Sequence, residues 1–582
     1  MLRCLYSLGG ILLVLITALT TLAQVPTMPA LPTLDMPPAT NATQSTTLDR
    51  TRFYDSVQLE PLRRLAINHN DHVKIMDSWA RQSLRTITND QKFRGSNYLF
   101  TALDMTFRPE VWEQENIIYI QAVPIRERLA ALVGNQEARR IMQQGRVSPA
   151  FLSQPEVAQV LQQIGMDTRL TPSVNKVYGG LQAFEDLRIS LRMVPPVDRD
   201  DVWHHLLELR ANIPESATEL KTKGHQTQPV RGYDTATSAR IVLGIQDMAF
   251  GWQAGNADQV NRGVTALAEV LPTVQPQSYP SGFTRGLEVV YNRTAKGLMF
   301  SFLYAIALVL LLMVAVGVAS SGQRLYRAGL IFYILAVTVH LLMMAARWWL
   351  AGRIPIQNQF ESILGAALLG CLIGLGLELW KRNGIYAMAM SFVGVAAMVA
   401  CYAAPFVFGK DLGENPGKVA GVLNDFWLYI HVQIVIASYA LISAGFLLGL
   451  IYLLAKLWHW MNPLIAEDAD FGSVQTQRRN LLEIFDAANV VCLQMAFWTL
   501  GIGIVCGAVW ADHSWGRPWG WDPKETFALV TWIVYLIVVH LRFVTGAKRA
   551  DWTAWLSIVG FAIMLFNWIG VNYFLVGLHS YA

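Results

Sequence analysis

The segment Trp515-Gly516-Arg517-Pro518-Trp519-Gly520-Trp521-Asp522-Pro523-Lys524-Glu525 lies between two apolar stretches, each long enough to cross a bilayer. Its Trp, Gly and Pro residues make a poor helix interior, because Pro removes a backbone donor and Gly costs conformational entropy. The segment is therefore expected to be a loop at a membrane surface, presenting flat aromatic faces beside a carboxylate and cations. Trp also gathers at membrane interfaces simply to anchor helices. Anchoring, however, calls for scattered Trp at helix ends, not a dense W-G-x-x-W-x-W-D-P-K-E string. Such a surface suits a broad, planar, amphipathic ligand.

Outward from this loop, eight segments can span, beginning near Gly297, Ala328, Glu361, Ile385, Phe426, Asn489, Thr526 and Trp552. Each offers close to the ~20 apolar residues that a bilayer core requires. Composition agrees: the 582-residue chain is 53% hydrophobic and 15% charged, too apolar for a soluble multidomain protein. Alternate short loops carry Arg324 and Arg327, Lys381 and Arg382, Arg478 and Arg479, then Lys548 and Arg549. An excess of Lys and Arg marks the cytoplasmic side, so the tryptophan loop falls on the outer side.

The amino-terminal part reads differently. Residues 1–23 have Arg3, an apolar core from Leu8 to Leu19 and a small-residue exit at Ala23, the pattern of a secretory signal or an uncleaved anchor. A Pro/Thr-rich linker fills 24–48. Residues 49–296 show helical spacing, as in Val157-Val160-Leu161-Ile164 and Ile241-Ile245-Met248. The expected fold is an all-α polytopic membrane protein: an exported, mainly helical domain at 49–296, then a transmembrane domain at 297–582 with its tryptophan loop at 510–525. The export signal and the loop charges give the same topology independently.

Several function classes are excluded. A net charge of +4, spread along the chain, gives no nucleic-acid footprint. The five cysteines, Cys4, Cys371, Cys401, Cys492 and Cys506, form neither C-x-x-C-H nor C-x-x-C, so the chain is neither a c-type cytochrome nor a dithiol oxidoreductase. It has no glycine-rich phosphate loop and no H-E-x-x-H motif.

The tryptophan string resembles the WWD signature of haem-handling membrane proteins. Its continuation, Glu525-Thr526-Phe527 through Thr531-Trp532 and Tyr535 to His540-Leu541-Arg542, narrows the resemblance to the CcsA/ResC family of the system II cytochrome c synthase. A second block is similar to that family's R-W-x-x-x-G-x-x-P-x-x-N-x-x-E-S pattern: Arg347-Trp348, Gly352, Pro355, Asn358 and Phe360-Glu361-Ser362. The resemblance covers about the last half of the chain. Phe527 departs from it, standing where the family usually has another Trp, but keeps an aromatic ring.

Histidine is where iron chemistry would sit, since imidazole is an ordinary axial haem ligand. His431 opens one span and His579 ends the last, both at the outer level beside the tryptophan loop. Trp568, Asn572 and His579 share a helix face. The two His are read as a bis-imidazole clamp, or else as interfacial structural residues. The resemblance implies the clamp, because system II synthases place an external His on either side of the tryptophan motif. His540 lies about 14 residues into its span, roughly 20 Å deep, and its position matches the family's intramembrane His. Fused synthases carry a partner for that His on a CcsB/ResB portion, whose spans are not found here. His340 follows Tyr333 and precedes Arg347 at seven-residue spacing, and reads as an alternative ligand, a propionate partner or a packed core residue. Arg347, Arg353 and Arg517 are candidate partners for propionates, with simple surface solvation as the alternative. Asp522 and Glu361 would orient these His or Arg. His513 is placed in the tryptophan loop, and the His residues of the exported domain on solvated faces.

The resemblance implies an integral membrane component of a holocytochrome c synthase, a haem lyase of the inner (cytoplasmic) membrane. Haem b would pause near His540, reach His431 and His579, and lie on Trp515, Trp519 and Trp521. An apocytochrome c would present Cys-x-x-Cys-His, with thiol-reducing proteins of the outer compartment and a separate CcsB/ResB-like subunit as further partners. A haem exporter without ligation activity, or a cytochrome b-type respiratory subunit, would draw on the same residues.

Overall fold

The computed structural model describes residues 52–577 apart from 91–92, 94–96, 168, 188–189, 200, 223–227, 317–321, 408–411, 418–424, 462–470, 545, 572–574 and 576. The expected signal segment (1–23) and linker (24–48) lie outside the described residues, as do His225, Asn572 and His579. The chain divides into two compact units. The first contains Ser83–Ser96 and Asp104–Arg188. Three of its helices begin on proline, Pro109–Glu113, Pro149–Leu152 and Pro155–Gly165, where the missing donor costs nothing. Trp112 is buried and donates from Nε1 to Asp104 Oδ2 at 3.1 Å.

The second unit contains Ser56–Gln82, Asn97–Leu103 and Ile189–Ala582. Its extra-membrane residues include a hairpin absent from the helical expectation: β1 (Ala66–His69) pairs antiparallel with β2 (His72–Ile75). Asn70 and Asp71 turn it with φ of 54° and 53°, the left-handed pair that a two-residue hairpin requires and that Asn and Asp tolerate. Helix Gly282–Arg293 braces the hairpin. The Glu288 carboxylate accepts from the Ile75 N–H at 3.2 Å and from the Ser78 hydroxyl, and burial pushes its pKa up to about 7. Between them, helices Thr235–Ala254 and Ala257–Val270 form an antiparallel pair turned at Gly255 (φ 67°).

Among the described residues, eight helices are long and apolar enough to cross a membrane. They run over Lys296–Ala315, which contains α1 (Ser301–Ala315), α2 (Gly322–Ala351), α3 (Gln359–Lys381), Ile385–Ala404 within α4 (Ile385–Val407), α5 (Phe426–Met461), Leu481–Trp515 within α6 (Phe471–Trp515), α7 (Pro523–Val544) and Arg549–Gly570, which contains α8 (Arg549–Leu565). α2 and α6 begin well before the expected Ala328 and Asn489, because hydropathy finds the apolar core of a span and not the polar turns that extend it. The protein is thus a mainly helical, multi-pass membrane protein with further helices ahead of the bundle.

In lipid no hydrophobic force pulls helices together, so close contact relies on small residues. α5 is the hub. Its Ala440 faces Gly370 of α3, where an added Cβ would lie 2.4 Å away, and its Gly449 backs onto Ala554 and Ser557 of α8. Alternation of the spans puts the 352–358, 412–417 and 516–522 connections at one end of the bundle. Helix Gly282–Arg293 meets the same end, where Arg347 donates to the Tyr291 hydroxyl at 3.1 Å.

Candidate functional site

At that end, α5 starts on Asp425, whose Oδ1 accepts from the N–H groups of Trp427 (2.8 Å) and Leu428 (3.2 Å). Less than two turns further on, His431 points at α6. Its Nδ1 lies 2.7 Å from the Gly503 carbonyl oxygen. The ring lies nearly parallel to Trp510, with centroids 6.4 Å apart and planes 8° apart. Trp510 is buried and meets Trp515 edge-on at 4.8 Å. An aromatic series therefore runs from His431 through Trp510 to the last residue of α6, where the tryptophan loop begins.

The loop is shorter than the sequence reading drew it. Trp515 still belongs to α6, and Pro523 already opens α7. Gly516 (φ 69°) stops α6 in the left-handed conformation, its N–H returning to the Asp512 carbonyl at 2.8 Å. Asp522 and Glu525 then start α7 reciprocally. Asp522 Oδ2 accepts from the Lys524 N–H (3.2 Å), while Glu525 Oε2 accepts from the N–H groups of Asp522 (3.2 Å) and Gly520 (2.9 Å). These clamps hold Trp521 at φ 55°, a strained setting for a bulky residue, with 69% of its surface exposed. Trp519 packs perpendicular to it at 5.7 Å. Arg517 is exposed and folds over Gly520, where a Cβ would come 2.8 Å from its Cζ. Asp522, expected to orient a ligating His or an arginine, caps a helix here. A Cβ on Gly577, two residues before His579, would lie 2.4 Å from its Oδ1.

The other two arginines are placed differently from Arg517. Arg347 is fully buried, and its guanidinium donates to Glu361 (2.8 Å), to the Tyr291 hydroxyl and to the carbonyls of Gly413 (2.8 Å) and Glu414 (2.7 Å). Arg353 grips the same Glu361 with two bonds, of 2.8 and 3.0 Å. Glu361 therefore orients both arginines. Arg347 can reach a ligand only if this cluster opens, while Arg353 stays partly exposed. Gln357 links the cluster to α5 by a 2.9 Å bond to the Tyr429 hydroxyl.

His340 sits in the core among α1, α2 and α3, with Nδ1 3.2 Å from the Tyr304 hydroxyl and its ring edge-on to that of Tyr304. Its surroundings are those of a packed residue, and the structure does not bring it to the tryptophan loop. His540 lies near the opposite end of α7 and is exposed on the outside of the bundle, beside the exposed Ile533 and Ile537. Its Nδ1 is 2.8 Å from the Leu536 carbonyl, so Nε2 faces away from its own helix. His513, read as a loop residue, belongs to the last turn of α6 and pairs with Asp425 at 3.1 Å. Trp568 packs inward on Tyr439, at 5.2 Å between ring centroids. It stands in a π-helical turn, Phe566–Gly570, a distortion often found where a helix is shaped for a site.

Residues 356–579, which contain both motif blocks, match the family model described as Cytochrome C assembly protein. The chain is 34% identical over 275 residues to the cytochrome c biogenesis protein CcsA of Synechococcus sp. (strain CC9605), covering 44% of this chain and 87% of the relative. The chain belongs to the CcsA family of cytochrome c biogenesis proteins. The CcsA protein of Porphyra purpurea is 32% identical over 268 residues, covering 41% of this chain and 82% of the relative. Protein NrfI of Wolinella succinogenes is 26% identical over 518 residues, 86% of this chain and 52% of NrfI, so that similarity extends into the residues ahead of the bundle. What both motif blocks of the CcsA family do locally is now visible: N-x-x-E at Asn358 and Glu361, and D-x-x-E at Asp522 and Glu525, start α3 and α7. The sequence reading gave Gly503 and Gly507 no role and placed Trp510 in the loop at 510–525. The G-x-x-x-G spacing was the available signal for the two glycines.

Proposed function

We propose that this chain presents haem b, as a substrate, for thioether attachment to an apocytochrome c. One observation supports this above the rest: the His431–Trp510–Trp515 series leads into a loop whose clamps hold Trp521 exposed in a strained conformation. Anchoring at an interface gives such a setting no role, whereas holding a ring out for stacking does. In this reading the chain lies in the inner (cytoplasmic) membrane, with the tryptophan loop and the residues before 297 on the outer side. His431 and His579 are the axial pair, and Trp515, Trp519 and Trp521 hold the porphyrin face. Arg517 and Arg353 are the arginines open to the propionates, while Arg347 fixes Glu361, and Asp522 holds the loop with Gly577 close against its carboxylate. His340 is a packing residue.

Each thiol of a Cys-x-x-Cys-His segment adds across one vinyl group: sulfur bonds one carbon, hydrogen the other, and no electrons are exchanged with an oxidant. Thiol-reducing proteins keep those cysteines available. The chain's part is positioning, which alone supplies several kcal/mol of barrier reduction, about 7–11 in the best cases. His540 supports delivery from a partner. A polar ring on the outer face of a span is costly in lipid and calls for a protein neighbour, here a CcsB/ResB-like subunit.

The test replaces Trp515, Trp519 and Trp521 by Leu, which keeps apolar mass but removes planar rings. Normal insertion with loss of both co-purifying haem and covalent haem on a Cys-x-x-Cys-His client is expected. Full haem content in that variant would reduce these residues to anchors and overturn the reading.

A further inference from the structure

We infer that Gly503 and Gly507 of α6 are positioning residues that fix the tautomer and aim of His431. The inference rests on the proposal that His431 binds haem iron, and it concerns why that imidazole is competent. A backbone carbonyl accepts hydrogen bonds and cannot donate them, so the 2.7 Å contact to the Gly503 oxygen puts the hydrogen on Nδ1. The neutral ring then carries its lone pair on Nε2, the nitrogen a metal needs, and a hydrogen bond from the other nitrogen raises ligand basicity.

That geometry exists only because α6 comes very close to α5. A Cβ on Gly507 would lie 2.6 Å from His431 Cε1, 2.7 Å from Nδ1 and 3.3 Å from Nε2, so any side chain there displaces the ring itself. A Cβ on Gly503 would lie 2.6 Å from Val435 Cγ2 and 3.3 Å from the Val435 nitrogen, which pushes the helices apart and lengthens the His431 bond. Trp510, three residues beyond Gly507, lies nearly parallel to the ring, 8° between planes and 6.4 Å between centroids. His431 thus has a carbonyl, a bare backbone and an indole as neighbours, with all three on α6. Gly501 of the same helix faces the other way, towards Trp532 of α7, so the helix presents small residues to both neighbours.

The experiment uses the full chain purified from membranes, with haem per protein and the optical spectrum as readouts. Gly507→Ala should lower haem occupancy about 10- to 100-fold, the range found when the group orienting a metal-binding His is lost. Added imidazole should restore a bis-nitrogen spectrum, as for His431→Ala, because the fault is in the ligand and not in the porphyrin platform. Gly503→Ala should do the same more weakly, and Gly503→Ala combined with Val435→Ala should recover, since the methyl removed makes room for the one added. Recovery in the double variant also guards against simple misfolding. If His431→Ala loses its haem while Gly507→Ala and Gly503→Ala keep wild-type occupancy and spectrum, the positioning role is refuted and the haem reading stands. If His431→Ala itself keeps the wild-type spectrum, the underlying reading falls instead.

Discussion

Removing the Arg347 guanidinium should destabilise the bundle less than removing the carboxylate it holds. Arg347 and Glu361 are both fully buried, and breaking such a pair by deleting one partner typically costs about 3–5 kcal/mol, because a charge is left uncompensated. The structure tells the two deletions apart. In Arg347→Met, Glu361 keeps two bonds from Arg353 and one of 2.9 Å from the Gln357 N–H, so the remaining charge is still paired. The loss should sit near the low end, about 3 kcal/mol. Glu361→Leu instead leaves two guanidiniums facing each other, one of them sealed from water, and should cost about 5 kcal/mol. Arg353→Met should cost only about 1 kcal/mol, since its side chain is 15% exposed and Arg347 still neutralises the carboxylate. Adding Arg347→Met to Glu361→Leu should recover part of the loss, a coupling of about 1–3 kcal/mol. Thermal unfolding of the four detergent-solubilised variants measures the order. Equal losses in all three single variants, or a worst loss in Arg353→Met, would refute the argument that Glu361 is the shared centre of the cluster.

Two further outcomes are expected. Glu288 has its folded pKa raised to about 7 from an ordinary 4.5, mainly by burial, so its contribution is fully present below about 4.5 and is lost as pH rises through about 7. Native-state proteolysis of the β1–β2 hairpin should therefore speed up over that window in the wild type, and Glu288→Gln should flatten the change. An unaltered pH profile in Glu288→Gln would count against it. His540→Ala should reduce haem reaching the tryptophan loop without lowering protein abundance, since the ring lies outside the packed core. Full haem content with failed thioether formation would move His540 from delivery to the chemistry.

The amino-acid sequence showed the membrane part well, because crossing a bilayer demands apolar length, and eight such windows were visible. The tryptophan loop was legible for a similar reason: Gly and Pro cannot continue a helix. Faces were harder. Around a helix such as α7 nearly every side chain is apolar, so periodicity did not reveal that His540 looks outward while Tyr535 is buried. The arginines illustrate the same limit. Composition put Arg347, Arg353 and Arg517 at one level, but only three-dimensional packing separates the sealed Arg347 from the exposed Arg517. The hairpin at Ala66–Ile75 was missed although Asn70-Asp71 is a turn signal, since its two strands are only four residues each. Gly503 and Gly507 act through an absent side chain and a backbone oxygen, which residue-by-residue reading for reactive groups passes over.

The proposed function depends most on His431, at the tryptophan-loop end of the bundle, being an axial ligand to haem iron. The most direct measurement is the reduced optical spectrum of purified His431→Ala, with and without added imidazole, beside the wild type. The variant should lose the six-coordinate bis-imidazole bands and regain them with imidazole, since a free ligand can occupy the vacated axial position. A wild-type spectrum in His431→Ala without imidazole would contradict it.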